Sequence, residues 1–461
     1  MSPKTFMGLF RAKKDETSEL HNGWHREVTT PSLAEVHSSV YVPHTAGFWR
    51  KLFAFSGPGL MVSIGYMDPG NWATDLAGGA RFGYALLSVI LISNIMAMIL
   101  QHLSLKLGIV TGRDLAQACR DHFSRPVAYM LWVLCEIAIS ACDLAEVIGS
   151  AIALNLLFGI PLVVGVIITS IDVLFVLLLQ NRGFRVIESL VAGLIFLTGA
   201  CFAYELLVAQ PSLSGMFGGL LPSPKIVVDP EMLYIAIGIL GATVMPHNLY
   251  LHSSIIQTRA FQRNEEGKKL AIKFATIDST GALFFAFFIN AAILVVSAAA
   301  FHGTQYQGIA DINDAYKLLT PVLGASFASI AFGIALLASG QNSTLTGTMA
   351  GQIVMEGFLD LRLRPWVRRL LTRMIAIVPA AFVAGFFGSR GVGELLILSQ
   401  VILSLQLGFA VVPLVMFTSD RTKMGQFVNG RVLKSIAWLI TIIIVCLNAY
   451  LLIKTLTDWI V

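Results

Sequence analysis

Residues 59–79 read Gly59-Leu60-Met61-Val62-Ser63-Ile64-Gly65-Tyr66-Met67-Asp68-Pro69-Gly70-Asn71-Trp72-Ala73-Thr74-Asp75-Leu76-Ala77-Gly78-Gly79. The flanks are apolar enough for a membrane helix, yet Asp68, Pro69, Gly70 and Asn71 stand in the middle, where a lipid-facing helix carries Leu or Val. Proline inside a helix removes a hydrogen bond at a cost of about 3 kcal/mol or more. An aspartate at the centre of a span costs roughly 2.5 to 3.5 kcal/mol on insertion scales. The stretch therefore reads as a membrane span interrupted near its midplane.

A second interruption lies far along the chain. Residues 233–254 are apolar up to Met245, Pro246, His247 and Asn248, which again occupy the centre of a span. One proline kink in a membrane helix is usually structural. Two kinks beside polar groups carry more weight, because unwound backbone at that depth is tolerated only where it is buried or lines a cavity, and its carbonyl oxygens are then free for a cation.

The rest of the chain supports the membrane reading. Of 461 residues, 56% are hydrophobic and 13% charged, against about 25% charged in an ordinary soluble domain; the mean hydropathy is +0.75. Apolar runs long enough to cross a core of about 30 Å fall at about 53–79, 83–109, 126–157, 161–180, 186–209, 232–257, 271–301, 320–347, 370–388, 391–418 and 433–456, which makes eleven spans. With the N-terminus inside, 27 of the 32 Lys and Arg residues fall in cytoplasmic segments, and the other side holds Arg81, Lys225, Lys317, Arg390 and Lys454. Cytoplasmic loops are enriched in just these residues, so the N-terminus is expected in the cytoplasm and the C-terminus outside. The net charge of +5 is thus topological, and nucleic acid is not implied as a partner.

The two broken spans are 1 and 6. Five is odd, so spans 1–5 and 6–10 run in opposite senses, and any likeness between them is an inverted repeat. The breaks would then meet near the midplane. Asp68 would bring a carboxylate, Asn71 an amide oxygen, Met245 a thioether, and both breaks freed carbonyls. Hard oxygen donors suit a divalent cation, while the thioether favours a softer transition metal over Ca2+ or Mg2+.

At these motifs the chain resembles the natural resistance-associated macrophage protein (Nramp) family of divalent-metal transporters, bacterial manganese and iron members in particular. The matching residues are Asp68-Pro69-Gly70-Asn71, Met245-Pro246-His247, and Gly340-Gln341-Asn342-Ser343 through Gly347-Thr348-Met349-Ala350-Gly351. The resemblance covers roughly residues 50–456. It implies an all-α integral membrane fold of the LeuT/APC type: two inverted five-helix repeats at about 50–209 and 231–418, discontinuous helices 1 and 6, and one extra helix at 433–456. It implies transport by alternating access with protons. It also implies Asp68, Asn71 and Met245 as metal ligands, joined by the backbone carbonyls of Gly65 and Ala242 and, in some conformations, by Gln400. Gly65 stands where some members have Ala. Members that move Mg2+ or Al3+ are altered at the Met position, and this chain is not.

A carboxylate at this depth can hold a proton while the site is empty and give it up to an arriving cation, which makes Asp68 a coupling candidate. On span 3, Glu136, Asp143 and Glu146 share one helical face, either as an interhelical hydrogen-bond cluster or as a proton route. The resemblance favours the route for Asp143 and Glu146 and pairs it with Arg368 and Arg369 at the start of span 9. His247 and His252 have the chemistry of proton relays, and His252 fits a satisfied core histidine equally well. An inside-negative potential of about 100 mV favours entry of a divalent ion by roughly 4.6 kcal/mol. Import of Mn2+ or Fe2+, with Cd2+, Co2+ and Zn2+ as further substrates, is the expected direction.

Three other readings stay open: a Mg2+ or broad divalent carrier, an organic-solute symporter of the same fold, and a membrane sensor. The sensor of this fold carries a large cytosolic extension, and this chain stops at Val461, soon after its last span. No nucleophile–base set or cofactor fingerprint points to an enzyme. The cysteines Cys119, Cys135, Cys142, Cys201 and Cys446 are dispersed, without a disulfide or zinc spacing. Residues 1–45, with His21, His25 and His37, are expected to form a flexible cytoplasmic tail ahead of the transporter domain at 46–461. The only glycosylation pattern, Asn342-Ser343-Thr344, falls inside a span, as suits a bacterial inner membrane. No obligate protein partner and no resident cofactor are expected beyond the lipid bilayer, the transported metal and protons.

Overall fold

A computed structural model describes residues 23–26, 30–43, 47–169, 183–309, 312–325, 327–361 and 388–460, with a few single positions between 362 and 387. The principal helices are α1 (Phe48–Phe55), α2 (Pro58–Gly65), α3 (Pro69–Phe82), α4 (Leu87–Thr111), α5 (Leu115–His122), α6 (Arg125–Phe158), α7 (Phe184–Ala209), α8 (Pro230–Thr243), α9 (Pro246–Ile255), α10 (Glu265–Phe301), α11 (Ile312–Leu323), α12 (Ala328–Leu359), α13 (Gly388–Thr418) and α14 (Arg431–Ile460). The only sheet among the described residues is a two-residue parallel pair, β1 (Val40–Tyr41) with β2 (Arg259–Ala260). The protein is an all-helical, multi-pass membrane protein.

Both predicted interruptions are present, and both have one cause. Asp68 (φ −68°, ψ 163°) and Met245 (φ −69°, ψ 125°) are extended residues preceding a proline that opens the next helix. The proline ring clashes with a helical conformation at the preceding residue, while its own fixed φ suits a first helical position. Each span is therefore two helices in tandem, α2–α3 and α8–α9.

Seven of the eleven expected spans are long and apolar enough to cross a membrane among the described residues. Span 1, in pieces of 8 and 14 residues, is not among these. The expected span 8 at 320–347 is displaced: α11 ends at Leu323 and α12 begins at Ala328 and runs to Leu359. Its Gly340-Gln341-Asn342-Ser343 stretch and threonines make it too polar for lipid alone, and almost all of that segment is buried. Spans 4 and 9 lie mostly outside the described residues; residues 162–169 of span 4 are helical.

Packing places α12 against α6 and α7, α10 against α2, α3 and α4, and α13 against α6 and α8, with α9 between α4 and α12. Glycines permit the closest approaches. A Cβ on Gly149 would lie 2.2 Å from Pro69 Cβ, and one on Gly340 would lie 2.3 Å from Ser150 Oγ, so α6 meets both the first break and α12 with no room for a side chain on either glycine. Trp72 fills the centre, with ring centroids 4.8 Å from Phe202 and 5.1 Å from Phe332.

The described part of the opening stretch is not a loose tail. Trp24 is fully buried between the Arg113 guanidinium, 4.7 Å from its ring centroid, and the Lys423 ammonium, 5.0 Å away. Ser32 Oγ donates to Asp114 Oδ2 at 2.6 Å, Leu33 N donates to Glu356 Oε2 at 3.1 Å, and β1 closes the segment onto β2. A single aromatic ring held by two cations anchors a stretch that has no apolar run of its own.

Candidate metal site

The proline that opens each second half-helix does more than break the span. In an α-helix the carbonyl of residue i accepts from the N–H of residue i+4. Four residues after Gly65 stands Pro69, and four after Ala242 stands Pro246. Neither has an N–H, so both carbonyls lose their helical donor. The two oxygens implied by resemblance are thus the two that covalent structure releases.

The other carbonyls of the first break are not free. Tyr66 O accepts from the amides of Asn71 and Asn290, the latter at 2.6 Å. Met67 O accepts from Ser339 Oγ and from Trp72 Nε1, the latter at 3.1 Å. At the first break the expectation of broadly open carbonyls is therefore narrowed, because side chains from α3, α10 and α12 occupy those of Tyr66 and Met67.

Asp68 caps α3, its Oδ1 accepting from Asn71 N at 2.8 Å. Asp68 Oδ2 and Asn71 Oδ1 are buried with no hydrogen-bond partner among the described residues, as are Gln400 Oε1, His247 Nδ1 and both amide atoms of Asn248. Buried polar atoms without partners cost about 1–3 kcal/mol each. Such a cluster is the arrangement expected of donors reserved for a ligand.

Gln400 and Asn248 bring the breaks together. A Cβ on Gly70 would lie 1.7 Å from Gln400 Nε2, and one on Gly241 would lie 2.4 Å from the Gln400 carbonyl oxygen. Gln400 on α13 thus touches the first break with its side chain and the second with its backbone. A Cβ on Gly65 would lie 2.0 Å from Asn248 Nδ2, so α9 is pressed against the end of α2. Met245 is fully buried in a small cluster with Ala138, Cys142 and Leu403, one turn beyond Gln400. Among the described residues no three His, Cys, Asp or Glu side chains form a metal cage; the donors here are mainly amide, thioether and backbone oxygen.

Of the proton candidates, Asp143 and Glu146 are buried side by side facing α12. A Cβ on Gly347 would lie 2.8 Å from Glu146 Oε1 and 3.2 Å from Asp143 Oδ1. Cys142 links them to the break: its Sγ lies 3.6 Å from Glu146 Oε1 and 3.8 Å from His247 Nε2. Glu136 stands two turns before Asp143 on α6. It is half-buried and accepts from Trp132 Nε1 at 3.0 Å, one turn back on the same helix. His252 Nδ1 lies 2.9 Å from Gln101 Oε1, and Gln101 Nε2 donates to Tyr66 Oη at 3.0 Å, a buried chain leading back to the first break. Arg368 and Arg369 lie outside the described residues.

Sequence reasoning gave no site role to Asn248, Asn290, Ser339, Cys142 and Asp75, the last buried on α3 two turns beyond Asp68 with its Oδ2 unpartnered among the described residues. Their common signal was polarity inside apolar runs.

Residues 59–454 match the family described as Natural resistance-associated macrophage protein-like. A divalent metal cation transporter MntH from Listeria monocytogenes is 61% identical over 446 residues, 97% of this chain and 100% of that protein. A protein of the same description from Nostoc is 63% identical over 429 residues, 93% of this chain and 97% of that one. Among solved structures, the Eremococcus coleocola manganese transporter in complex with an aromatic bis-isothiourea substituted compound superposes with a TM-score of 0.84 at 42% identity, covering 91% of this chain and 90% of that one. Mhp1, a nucleobase-cation-symport-1 family transporter, superposes with a TM-score of 0.57 at 16% identity, covering 85% and 89%, a likeness of fold alone. With nearly its whole length matched at such identities, the chain belongs to the natural resistance-associated macrophage protein-like family.

Proposed function

We propose that this protein imports divalent transition-metal ions, Mn2+ or Fe2+ foremost and Cd2+, Co2+ and Zn2+ besides, into the cytoplasm by alternating access coupled to protons. What supports the reading is the pair of proline breaks: Gln400 packs on Gly70, between Asp68 and Asn71, and on Gly241, next to Ala242, while Met245 is buried with Leu403 one turn along from Gln400. In this scheme Asp68 supplies charge, Asn71 and Gln400 supply amide oxygens, and Met245 supplies the soft donor that favours transition metals over Ca2+. The relatives from Listeria monocytogenes and Nostoc, described as divalent metal cation transporters, and the matching manganese transporter structure point the same way.

The same reading assigns eleven spans in two inverted repeats, about 50–209 and 231–418, and an extra helix at 433–456, behind a cytoplasmic segment at 1–45. The membrane is the bacterial inner membrane, with the N-terminus in the cytoplasm. Protons leave the site through Cys142's neighbours His247, Glu146 and Asp143, with Arg368 and Arg369 further along; Gln101 and His252 form a second hydrogen-bonded branch from Tyr66. Glu136, held by Trp132, has no part in the route.

Uptake by the purified chain in proteoliposomes, with lumenal pH recorded and Ca2+ and Mg2+ offered as competitors, tests the proposal. Mn2+ should enter and acidify the lumen against an excess of Ca2+. Mn2+ flux no greater than in empty vesicles would sink the proposal, and flux without acidification would remove the proton coupling.

A further inference from the structure

Immediately before the first broken span lies α1, Phe48-Trp49-Arg50-Lys51-Leu52-Phe53-Ala54-Phe55. One side of it is packed: Ala54 and Phe55 are buried, Phe55 stacks on Phe274 of α10 at 6.0 Å, and Phe48 rests on the same ring at 5.3 Å. The other side is open. Trp49 is 68% exposed and Phe53, one turn on, is 69% exposed, with Arg50 exposed beside them. Two large aromatic side chains one turn apart do not face water without cause.

We propose that α1 lies in the headgroup layer of the cytoplasmic leaflet, reads anionic phospholipid there, and passes that signal to the first half of the broken helix. Three observations select a lipid surface over a protein partner. The wall on which α1 rests continues along α10 as a lipid-facing strip, with Ile277, Phe284 and Phe288 exposed. Basic residues predominate around the aromatic face: Arg50 and Lys51 stand on α1, which has no acidic residue, and Lys269 and Lys273 are exposed on α10, where the nearest acids on the exposed side are Glu265 and Glu266 in that helix's first turn. Tryptophan and phenylalanine with flanking lysine or arginine are the composition that seats a helix at the acyl boundary of a negatively charged leaflet.

The connection to the transport core is short and gripped at both ends. Between α1 and α2 stand only Ser56 and Gly57, the latter at φ +131°, a conformation that residues other than glycine rarely adopt. Arg185 donates to the carbonyls of Phe53, Ala54 and Ser56 at 2.8–3.0 Å, and Arg259, itself paired with Glu188 at 2.7 Å, donates to Ser56 O at 2.6 Å. Asp278 accepts from Gly57 N and Gly59 N at 3.4 and 2.7 Å and so holds the start of α2. The far end of α2 is Gly65. A change in the seating of α1 is therefore delivered, through backbone clamped by side chains, to a helix end that borders the site.

The regulatory half rests on the transport reading above, whereas seating does not, and the test separates them. The full chain is placed in liposomes of phosphatidylcholine alone and of phosphatidylcholine with phosphatidylglycerol. Trp49 emission, taken as the difference between wild type and Trp49→Phe, should be quenched by lipids brominated near the headgroup and spared by aqueous iodide; the reverse pattern overturns seating. Mn2+ uptake should be faster with phosphatidylglycerol, and Arg50→Glu with Lys51→Glu should erase that gain, about fivefold for each basic residue, while leaving uptake in phosphatidylcholine unchanged. Equal uptake in both lipids by wild type overturns the regulation. No uptake in either lipid, with Trp49 quenched by bromolipid, upholds the seating and sinks the transport reading instead.

Discussion

The two helix breaks are built alike and finished differently. Each places an extended residue before a proline and strips a carbonyl four residues back of its donor. At the first break the extended residue is Asp68, whose Oδ1 caps the new helix through Asn71 N. At the second it is Met245, which caps nothing. An N-cap of Asp in place of Ala is worth about 0.5–2 kcal/mol, so Asp68 has a local structural reason to be there, whatever else it does. Met245 has no such local reason. Its burial against Cys142, Ala138 and Leu403 is explained only by what surrounds it in the tertiary structure. The difference teaches that Asp68 commits one oxygen to the helix and leaves Oδ2 without a partner among the described residues, whereas the Met245 side chain makes no cap at all.

The comparison breaks most sharply at Asp68. Asn is as good an N-cap as Asp, so Asp68→Asn should keep the fold and thermal midpoint while lowering Mn2+ uptake by on the order of a hundredfold, about 2.7 kcal/mol. Retained uptake in that variant would mean that the cap alone explains the residue. At the second break, Met245→Leu preserves volume at a cost below about 1.5 kcal/mol and removes the sulfur. Preference for Mn2+ over Ca2+ in competition binding should fall roughly tenfold, or about 1.4 kcal/mol, with little change in thermal stability. Equal loss of both ions would reduce the thioether to packing.

A smaller effect separates the glycines that flank the breaks. A methyl on Gly241 meets backbone, the Gln400 carbonyl at 2.4 Å and Ser404 N at 2.8 Å. Gly241→Ala should therefore cost about 1–3 kcal/mol of overpacking, visible as a lowered thermal midpoint. A methyl on Gly70 meets the Gln400 side chain, which can swing aside, so Gly70→Ala should lower Mn2+ affinity more than stability. Identical stability losses in the two variants would show that Gln400 is as rigid toward the first break as toward the second. The least change is expected away from both breaks. Glu136→Gln keeps an acceptor for Trp132 Nε1 and should leave uptake and acidification within about twofold, whereas Glu146→Gln should impair acidification.

Legibility in the sequence followed range along the chain. The breaks, the donor types at them and the membrane class are local, since proline geometry, a polar residue in an apolar run and loop charge all act within a few residues of themselves. The release of the Gly65 and Ala242 carbonyls is equally local, because it needs only a proline four residues on. The tenants of the other freed carbonyls are not. Asn290 and Ser339 reach Tyr66 and Met67 from more than 200 residues away, and their role depends on how α10 and α12 are rotated. The same holds for Asn248 against Gly65 and for Gln400 spanning both breaks. The opening stretch misled for the converse reason: Trp24 has no apolar run around it in sequence, and its burial comes from Phe417, Arg113 and Lys423, brought to it by the fold.

By itself, then, the sequence determined that the chain crosses a membrane and where its two helices break. It also determined which donors stand at those breaks, because each follows from the covalent and steric properties of neighbouring residues. Only the tertiary structure decided which freed oxygens are already occupied, which glycines let the breaks touch, and which span 3 acids face α12. Those outcomes depend on contacts between distant segments whose rotation and close approach no local pattern encodes.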